Sequence, residues 1–482
     1  MRCGPPGPPG LGTVPRMVEI PRPTAHRRPG PAARAYDGAI RTAALAVRSL
    51  SRLVRAGAGT SAPGVVVQRL DPGFVRRRGD RLSDGVVLVS GTNGKTTTAA
   101  MISRILAARD TPVLTNQSGA NLFRGVATEL ATAHGDERAA VFEVDEGALA
   151  RLVPALEPRV LVLTNVFRDQ LDRFGEPETV ARLLAEAGGA LPEGSTVVAN
   201  ADDPLLWHAV EDLHPLGFGV RAGEPSGSVA RTDAEPEVCP RCGGPMHYRR
   251  RTISHLGAAD CTRCEWSSPD PPFLVEVLAR PGLDALWLSI GETGFEVRLG
   301  GIHNAYNAAA AVAAVTVLGV ATSDAAKALE TFTPRFGRTE RLEFAGRTLW
   351  VLLMKNPAGA SALVDQVVAD PRIRAAVVML NDLWADGRDV SWIWDADLES
   401  LIGRRVPIVA GGIRAYDVGV RIKYAGGSVT ASERDPHALL DALMSVTNEG
   451  DAVAVLATYT AMLSLRRAVL GSKVARVSDL VS

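Results

Sequence analysis

The chain has 482 residues, of which 46% are hydrophobic and 22% are charged, and this composition is typical of folded rather than disordered proteins. At about 150 residues per domain, the length predicts two or three domains. Lys and Arg number 53, as do Asp and Glu. Zero net charge argues against a chain whose main role is to coat nucleic acid or an anionic membrane.

Residues 1–37 are rich in Pro, Gly and Arg, and we expect a disordered tail because such a segment cannot bury enough apolar surface to offset its chain entropy. The tail lacks the apolar core of a signal peptide, which predicts a cytoplasmic protein. The longest near-apolar stretch, 308–321, is too short to span a membrane. We therefore expect no transmembrane segment and interpret this stretch as a buried helix.

Short runs of Val and Leu alternate with helical segments, which is typical of parallel strands buried on both faces. We predict a doubly wound α/β domain over 38–340. A Cys- and Pro-rich insert at about 236–268 interrupts this domain, and a hairpin-like stretch at 273–299 follows the insert. A second alternation predicts a Rossmann-like α/β domain over 341–482. The predicted strands are 86–90, 113–114, 139–144, 160–165, 196–200, 350–354, 375–380, 407–412 and 452–458.

The sharpest motif, SGTNGKTT, begins at Ser90, directly after a predicted strand, and opens a predicted helix. Glycines let backbone N–H groups approach phosphates, and the helix N-terminus adds the positive end of its dipole. Lys95 can reach terminal phosphates, and the Thr96 hydroxyl can bind Mg²⁺. The loop is a shortened form, because the full phosphate-loop pattern has Gly where this chain has Val89. The residues predicted to bind ATP here are Gly91, Thr92, Asn93, Gly94, Lys95, Thr96 and Thr97.

Four of the five cysteines form two C-x-x-C pairs separated by 18 residues. This spacing predicts a tetrahedral Zn²⁺ site of the zinc-ribbon type. Four thiolates leave no coordination position for a catalytic water, so we expect a structural metal that stabilises an insert too small for its own core. The predicted ligands are Cys239, Cys242, Cys261 and Cys264.

An acidic loop follows the strand that ends at Leu380, at the edge where open α/β sheets place their sites. Five Asp and three Trp residues lie within the 17 residues from Asn381 to Asp397. The aspartates of such a loop commonly cap turns and helices. Clustered Trp residues on a loop instead suggest a protein interface.

The GTNGKT loop and four further stretches resemble the Mur ligase superfamily. The resemblance implies an ATP-dependent ligase in which Glu143 binds Mg²⁺ and Asn304 and Asn307 contact the nucleotide. Gln170 stands where the amino-acid-adding members usually have His. The further stretches are EVDE (143–146), TNVFRDQLDRFG (164–175), NADDP (200–204) and HNAYNAAAA (303–311).

The four-Cys insert, KNPAG (355–359) and the acidic loop together resemble a narrower family, the synthetase subunits of lipid II isoglutaminyl synthase. This resemblance implies amidation of the α-carboxylate of the stem-peptide glutamate of lipid II at the inner membrane face. It implies an acyl phosphate attacked by ammonia from a separate GatD-like glutaminase. It also implies that Asp389 completes the Cys–His–Asp triad of that partner, and an Asp bonded to an imidazole fixes its tautomer.

Two alternatives share part of this pattern. An amino-acid-adding Mur ligase or a folylpolyglutamate-type ligase would share the ATP motifs but lack the zinc insert and the acidic loop. A zinc-ribbon protein that binds nucleic acid would explain the arginine run 249–251 and nearby Trp266. Because the chain is neutral and carries an ATP motif, we expect no nucleic-acid partner.

Overall fold

The structure is a computed structural model that describes residues 30–53, 62–116, 120–168, 176–222, 238–280, 282–333 and 339–471. Most of the predicted tail lies outside these ranges, but its last residues belong to a helix that begins at Pro31. Within the described residues, no helix is long and apolar enough to cross a membrane.

A nine-stranded sheet forms the central domain, and its strands run parallel except for β10, which pairs antiparallel with both of its neighbours near one edge. Val87 and Val89 of β1 face one apolar layer, while Val86 and Leu88 face the other. The continuous apolar run in this strand therefore fills two cores. The strands are β1 (Gly85–Ser90), β2 (Val113–Thr115), β3 (Ala139–Glu143), β4 (Val160–Leu163), β5 (Thr196–Asn200), β6 (Leu216–Ala222), β9 (Phe273–Ala279), β10 (Leu286–Ile290) and β11 (Thr293–Val297), and their order in the sheet is β11-β10-β9-β6-β5-β4-β1-β3-β2.

The stretch predicted as hairpin-like contains three strands, because β9 joins the central sheet parallel to β6 before the β10–β11 hairpin folds back. Helices cover both faces of the sheet. The helices of this domain are α1 (Pro31–Leu53), α2 (Ala62–Leu70), α3 (Phe74–Gly79), α4 (Lys95–Ala107), α5 (Phe123–Thr132), α6 (Leu149–Leu156), α7 (Pro177–Gly189), α8 (Pro204–Val210), α9 (Ile302–Val317) and α10 (Thr322–Glu330).

Helix α9 occupies the centre of one core, and its residues from Ala308 to Val315 are fully buried. Alanine side chains let this helix lie close against α4, which starts at the phosphate loop. The near-apolar stretch 308–321 therefore forms a buried helix up to Val317, as its composition predicts, and its last four residues follow the end of that helix.

The Cys-rich insert forms an antiparallel hairpin of β7 (Met246–Ile253) and β8 (Leu256–Cys261) between β6 and β9. Two residues at its tip, Ile253 and Leu256, are buried in the core of the central domain. The hairpin is thus anchored in the domain that it interrupts.

A six-stranded sheet forms the C-terminal domain, and all its strands but the first are parallel. The order in the sheet is β12-β13-β17-β14-β15-β16, with helices on both faces. The elements are β12 (Glu340–Phe344), β13 (Arg347–Leu353), α11 (Pro357–Ala369), β14 (Ile373–Met379), α12 (Leu398–Gly403), β15 (Ile408–Gly411), α13 (Ala415–Tyr424), β16 (Ala431–Glu433), α14 (Pro436–Ser445), β17 (Ala452–Ala457) and α15 (Tyr459–Leu470).

The first helix of the C-terminal domain packs against the central domain. Ala358 and Ala362 of α11 are buried in the same apolar cluster as α4 and α9. At the other end of α11, the buried Asp370 carboxylate accepts a hydrogen bond from the Leu283 N–H at 3.0 Å. Arg372 bridges this carboxylate, at 2.6 Å, to Asp284 of the central domain, at 2.7 Å.

Candidate functional site

The phosphate loop joins β1 to α4, and two of its glycines stand where a side chain could not fit. Gly91 has φ +121°, and a Cβ there would lie 2.4 Å from Thr164 Oγ1. Gly94 has φ +86°, and a Cβ there would lie 2.2 Å from Asn307 Oδ1. These positions require glycine both for the left-handed backbone and for the close approach of neighbouring residues. The loop thereby leads into the first turn of α4, whose N–H groups have no partner within the helix.

The residues after β4 hold the phosphate loop in place. The Thr92 N–H donates to the Asn165 carbonyl oxygen at 2.8 Å, and the Asn93 N–H donates to Asn165 Oδ1 at 2.9 Å. The Phe167 N–H donates to Thr92 Oγ1 at 3.0 Å, and the Thr164 hydroxyl donates to the Asn93 carbonyl oxygen at 2.7 Å. The loop is therefore fixed from a neighbouring strand end, and two of its predicted ATP-binding residues have structural partners.

Two acidic side chains, one at the end of β3 and one just after it, meet the first turn of α4. The Lys95 ammonium lies 2.8 Å from Glu146 Oε1, and the Thr96 hydroxyl donates to Glu143 Oε2 at 2.6 Å. Both carboxylates are almost completely buried. Asp145, between them, caps a short turn by accepting the Gly147 N–H at 3.2 Å. Glu146 is thus the ion-pair partner of Lys95.

The side chains of Lys95, Thr96 and Glu143 fit a nucleoside triphosphate with Mg²⁺. A hydroxyl and a carboxylate side by side are the oxygen ligands that Mg²⁺ prefers, so Thr96 and Glu143 would hold the ion. Lys95 would place a positive charge on the phosphates. Bound Mg²⁺ would stabilise the negative charge of the phosphate oxygens.

Asn304 and Asn307 of α9 lie next to the loop in a buried chain of hydrogen bonds. Asn307 Nδ2 donates to Asn304 Oδ1 at 2.9 Å, and Asn307 Oδ1 accepts the Thr98 hydroxyl at 3.2 Å. Asn304 Nδ2 also donates to the Gly300 carbonyl oxygen at 2.7 Å. The structure places both residues beside α4, and their contact with a nucleotide stays a prediction.

Thr97, also predicted to bind ATP, is buried, and its hydroxyl has no hydrogen-bond partner among the described residues. Residues 169–175 of the TNVFRDQLDRFG stretch, including Gln170, lie outside the described residues.

Sequence reasoning missed several residues that complete the site. Asn356 Nδ2, at the start of α11, donates to Asn93 Oδ1 at 3.0 Å, so the C-terminal domain contacts the phosphate loop directly. Asn116, after β2, accepts the Glu143 N–H at 2.9 Å and donates to the Glu143 carbonyl oxygen at 2.7 Å. Asn356 lies within the KNPAG stretch, which was a usable signal, whereas no local pattern distinguishes Asn116.

The four cysteines of the insert converge on one point. Their sulfur atoms all lie within 4.8 Å of one another, which suits four ligands of a single tetrahedral metal ion. Burial opposes ionisation of Cys261, but hydrogen bonds from the N–H groups of Arg263 and Cys264 and from the neighbouring cysteine side chains lower the pKa of its thiol to about 6. Burial and the neighbouring thiols raise the pKa of Cys239 and Cys242. A thiolate is the form that binds Zn²⁺. The cluster fits zinc, with Cys239, Cys242, Cys261 and Cys264 as the ligands.

The arginine run of the insert contacts the chain itself. Arg249 pairs with Asp260 at 3.0 Å, and Arg250 with the buried Asp202 at 2.7 Å. The Arg251 guanidinium lies 4.3 Å from the centre of the Tyr248 ring. These contacts explain the three arginines without a nucleic-acid ligand.

Asp389 lies exposed on the acidic loop, before the short helical turn Ser391–Trp394. Its Oδ1 accepts the Ser391 N–H at 2.8 Å, and hydrogen bonds from Ser391 lower the pKa of this carboxyl. The carboxylate is therefore ionised and oriented at neutral pH. Two other aspartates act as caps: Asp386 accepts the Thr460 N–H at 2.7 Å, and Asp397 accepts the Ser400 N–H at 3.0 Å.

Aromatic side chains around this loop are exposed. Trp384 is 90% exposed, and Trp394 packs edge-to-face on Tyr424 of α13 with ring centres 5.7 Å apart. The buried Arg421 fixes the turn by donating to the carbonyl oxygens of Ile393 and Ala396. The aromatic surface is defined by Leu383, Trp384, Trp394, Ile413, Tyr416, Val420 and Tyr424, which are all exposed.

Comparisons with known proteins place the chain in a family. Residues 89–226 match the Mur ligase middle domain, and residues 353–462 match the MurT ligase C-terminal domain. The chain is 33% identical over 431 residues to the lipid II isoglutaminyl synthase (glutamine-hydrolyzing) subunit MurT of Streptococcus pneumoniae, and the match covers 88% of this chain and 95% of that protein. The chain belongs to the MurT family. Membership confirms the ligase family that the motifs predict.

Solved structures of two other ligases share the fold of this chain. A pseudomurein peptide ligase type C from Methanothermus fervidus has a TM-score of 0.63 at 21% identity, covering 80% of this chain and 78% of that one. A MurF ligase from Thermotoga maritima in complex with ADP has a TM-score of 0.56 at 17% identity, covering 82% of each chain. At these identities the likeness concerns the fold, and it confirms the predicted Mur-ligase-type α/β architecture.

Replacing Lys95 with Ala should weaken nucleotide binding by about ten-fold or more, because a hydrogen bond to a charged group contributes about 1.5–3 kcal/mol. Calorimetric titration with Mg²⁺–ATP measures the affinity, and circular dichroism checks the fold. Lys327→Ala, at an exposed position on α10, is the matched control. Wild-type affinity in a folded Lys95→Ala protein would contradict the phosphate-loop assignment.

Elemental analysis of the purified protein should find about one Zn²⁺ per chain, since four thiolates bind a single ion. Cys242→Ser should reduce the zinc content and lower the thermal unfolding midpoint, because binding of a structural metal contributes to folding. Cys3→Ser, at the cysteine outside the described residues, is the control and should change neither value. If metal-free protein were equally stable but inactive, the structural role of the metal would be wrong.

Proposed function

We propose that this chain is the synthetase subunit of a lipid II isoglutaminyl synthase. It activates the α-carboxylate of the stem-peptide glutamate of lipid II with ATP and converts it to an amide. One observation carries the proposal: Lys95, Thr96, Glu143 and Glu146 meet at a phosphate loop. The chain that contains this loop matches a MurT subunit over 88% of its own length and 95% of the length of that subunit. The activated species is an acyl phosphate.

The chemistry explains why ATP is needed. A carboxylate oxygen attacks the γ-phosphorus, ADP leaves, and the carbonyl carbon then carries a phosphate leaving group. Ammonia attacks this carbon, phosphate leaves, and the nitrogen loses a proton to give the amide. Lys95 and the N–H groups of the first turn of α4 stabilise the negative charge that moves onto the bridging and terminal oxygens.

The nitrogen source is a glutaminase partner. Ammonia is mostly protonated at neutral pH, so an enzyme that uses it as a nucleophile benefits from releasing it next to the acceptor. The described cysteines of this chain all lie in the metal cluster, so a Cys nucleophile for glutamine hydrolysis would come from another chain. The curated Streptococcus pneumoniae relative is named as a glutamine-hydrolyzing synthase subunit, in agreement with such a partner.

The aromatic surface of the C-terminal domain is our candidate for binding this partner. Exposed Trp and Tyr side chains are the commonest anchors of protein interfaces. Arg414, at the start of α13, lies 3.4 Å from Asp382 and so ties the helix to the acidic loop. Asp389 precedes the turn that carries Trp394, which places an ionised carboxylate at the edge of this surface. An imidazole of the partner could pair with it there.

An amidation assay with lipid II tests the function. Chain plus Mg²⁺–ATP and a high concentration of ammonium salt should convert lipid II to its amide, as measured by mass spectrometry. With glutamine, conversion should require a co-purified glutaminase. Replacing lipid II and ammonia with UDP-N-acetylmuramate and alanine tests the amino-acid-adding alternative. Ligation of alanine without any amidation would contradict the proposal.

Asp389→Asn should strongly reduce glutamine-dependent amidation. In a triad on one chain, the equivalent change costs about 10⁴ in rate because the imidazole takes the wrong tautomer. Ammonium salt should restore much of the activity, since it bypasses glutamine hydrolysis and the ATP site is unchanged. Asp395→Asn, on the same loop, is the control.

Two results for Asp389→Asn would contradict its assignment to the triad. One is unchanged glutaminase activity in the intact mutant complex. The other is loss of the ammonia-driven activity, which would place Asp389 in the ligase site instead.

A further inference from the structure

The hairpin between the two cysteine pairs reaches the ATP site through a pair of buried aspartates. The Asp202 carbonyl oxygen accepts the Gly257 N–H of β8 at 2.6 Å, and its carboxylate pairs with Arg250 of β7 at 2.7 Å. The same carboxylate accepts the Tyr306 hydroxyl of α9 at 2.9 Å. Burial raises the pKa of Asp202, while Arg250 opposes this shift by favouring the ionised form. The hairpin is therefore fixed to the strand end after β5 and to α9.

His255 at the tip of this hairpin lies against the segment that holds the phosphate loop. His255 is 6% exposed, and the centre of its ring lies 4.6 Å from that of the Phe167 ring, with 57° between the ring planes. Its Nε2 lies 3.6 Å from Asp203 Oδ2, the atom that accepts the Val166 N–H at 2.7 Å. His255 thus contacts the Phe167 side chain and also the Asp203 carboxylate, which binds the N–H group of Val166.

Residues 166 and 167 lead directly to the nucleotide loop. The Phe167 N–H donates to Thr92 Oγ1, and the preceding Asn165 binds the N–H groups of Thr92 and Asn93. Two contacts therefore separate the hairpin tip from the phosphate loop: the His255 ring on Phe167, and the Phe167 backbone on Thr92. Packed contacts of this kind restrict the positions that a loop can adopt.

We propose that His255 is a positioning residue for the ATP site. Through its ring contact with Phe167, the tip of the four-cysteine module fixes the phosphate loop in the conformation that binds nucleotide. This role goes beyond stabilising the insert, because it links the four-cysteine module to nucleotide binding. The inference rests on the proposed ATP site but not on the identity of the carboxylate substrate.

Two variants and a control test the role of His255. His255→Ala removes the ring, whereas His255→Phe keeps a ring against Phe167. His247→Ala changes an exposed histidine on β7 of the same hairpin. Calorimetry measures Mg²⁺–ATP affinity of the full chain, elemental analysis measures zinc, and hydrogen–deuterium exchange reports on the peptide that covers residues 164–168.

His255→Ala should weaken Mg²⁺–ATP binding by about two- to ten-fold, the range expected from one aromatic pair. Exchange in residues 164–168 should become faster, while the zinc content stays that of the wild type. His255→Phe should restore most of the affinity, and His247→Ala should leave affinity and exchange unchanged.

Wild-type affinity and exchange in folded His255→Ala protein would overturn the inference, as would a loss of affinity that His255→Phe does not restore. Failure of the proposed function is distinguishable, because it would appear as missing amidation by wild-type protein. If wild-type protein bound no nucleotide, the exchange measurement would still decide whether His255 positions this segment.

Discussion

The hydrogen bonds between the phosphate loop and Asn165 are the constraint on which the site depends. A loop that binds phosphates must hold backbone N–H groups in one orientation, and glycine-rich loops have little intrinsic preference for any single orientation. Asn165 supplies the missing rigidity because both its carbonyl and its side chain accept hydrogen bonds from the loop. The parallel arrangement of β1 and β4 brings the two segments to the same edge of the sheet.

Charge balance in the buried site follows from the same topology. Lys95 and Glu146 form a largely buried pair, and the Glu143 carboxylate accepts the Thr96 hydroxyl. A buried charge without a partner is strongly unfavourable. The site therefore requires that the segment with Glu143 and Glu146 packs against the start of α4, where Lys95 and Thr96 lie. The C-terminal domain adds Asn356 to this set, and α11 is rooted in the central core through Ala358 and Ala362. Both domains therefore contribute residues to the candidate site.

The sequence predicted the parts of the molecule that have a local pattern. Val and Leu runs located β1, β3, β4 and β5, and the glycine spacing located the phosphate loop. The cysteine spacing predicted a cluster whose sulfur atoms do lie together. The strand β9 was missed as a member of the central sheet, because its parallel pairing with β6 crosses the whole insert and leaves no local signal.

Contacts between distant segments were the other limit. The residues around Glu146 indicate only the start of a helix, and the ion pair with Lys95 forms because the fold brings the two segments together. His255 lies in a segment that reads as part of a metal module, yet its neighbours are Phe167 and Asp203. The roles of Glu146 and His255 depend on contacts between segments that are distant in the chain. The periodicity of a single sequence predicts helices and strands but not such contacts.

We propose that this site activates a carboxylate by transferring a phosphoryl group to it. Lipid II carrying isotopically labelled oxygen in the α-carboxylate of its glutamate tests this claim directly, with Mg²⁺–ATP and ammonium salt as the other reactants. After one turnover, mass spectrometry should find one labelled oxygen in inorganic phosphate, because the carboxylate oxygen leaves with the phosphate. Amide formation with unlabelled phosphate, or with the label in AMP, would contradict the proposed acyl phosphate intermediate.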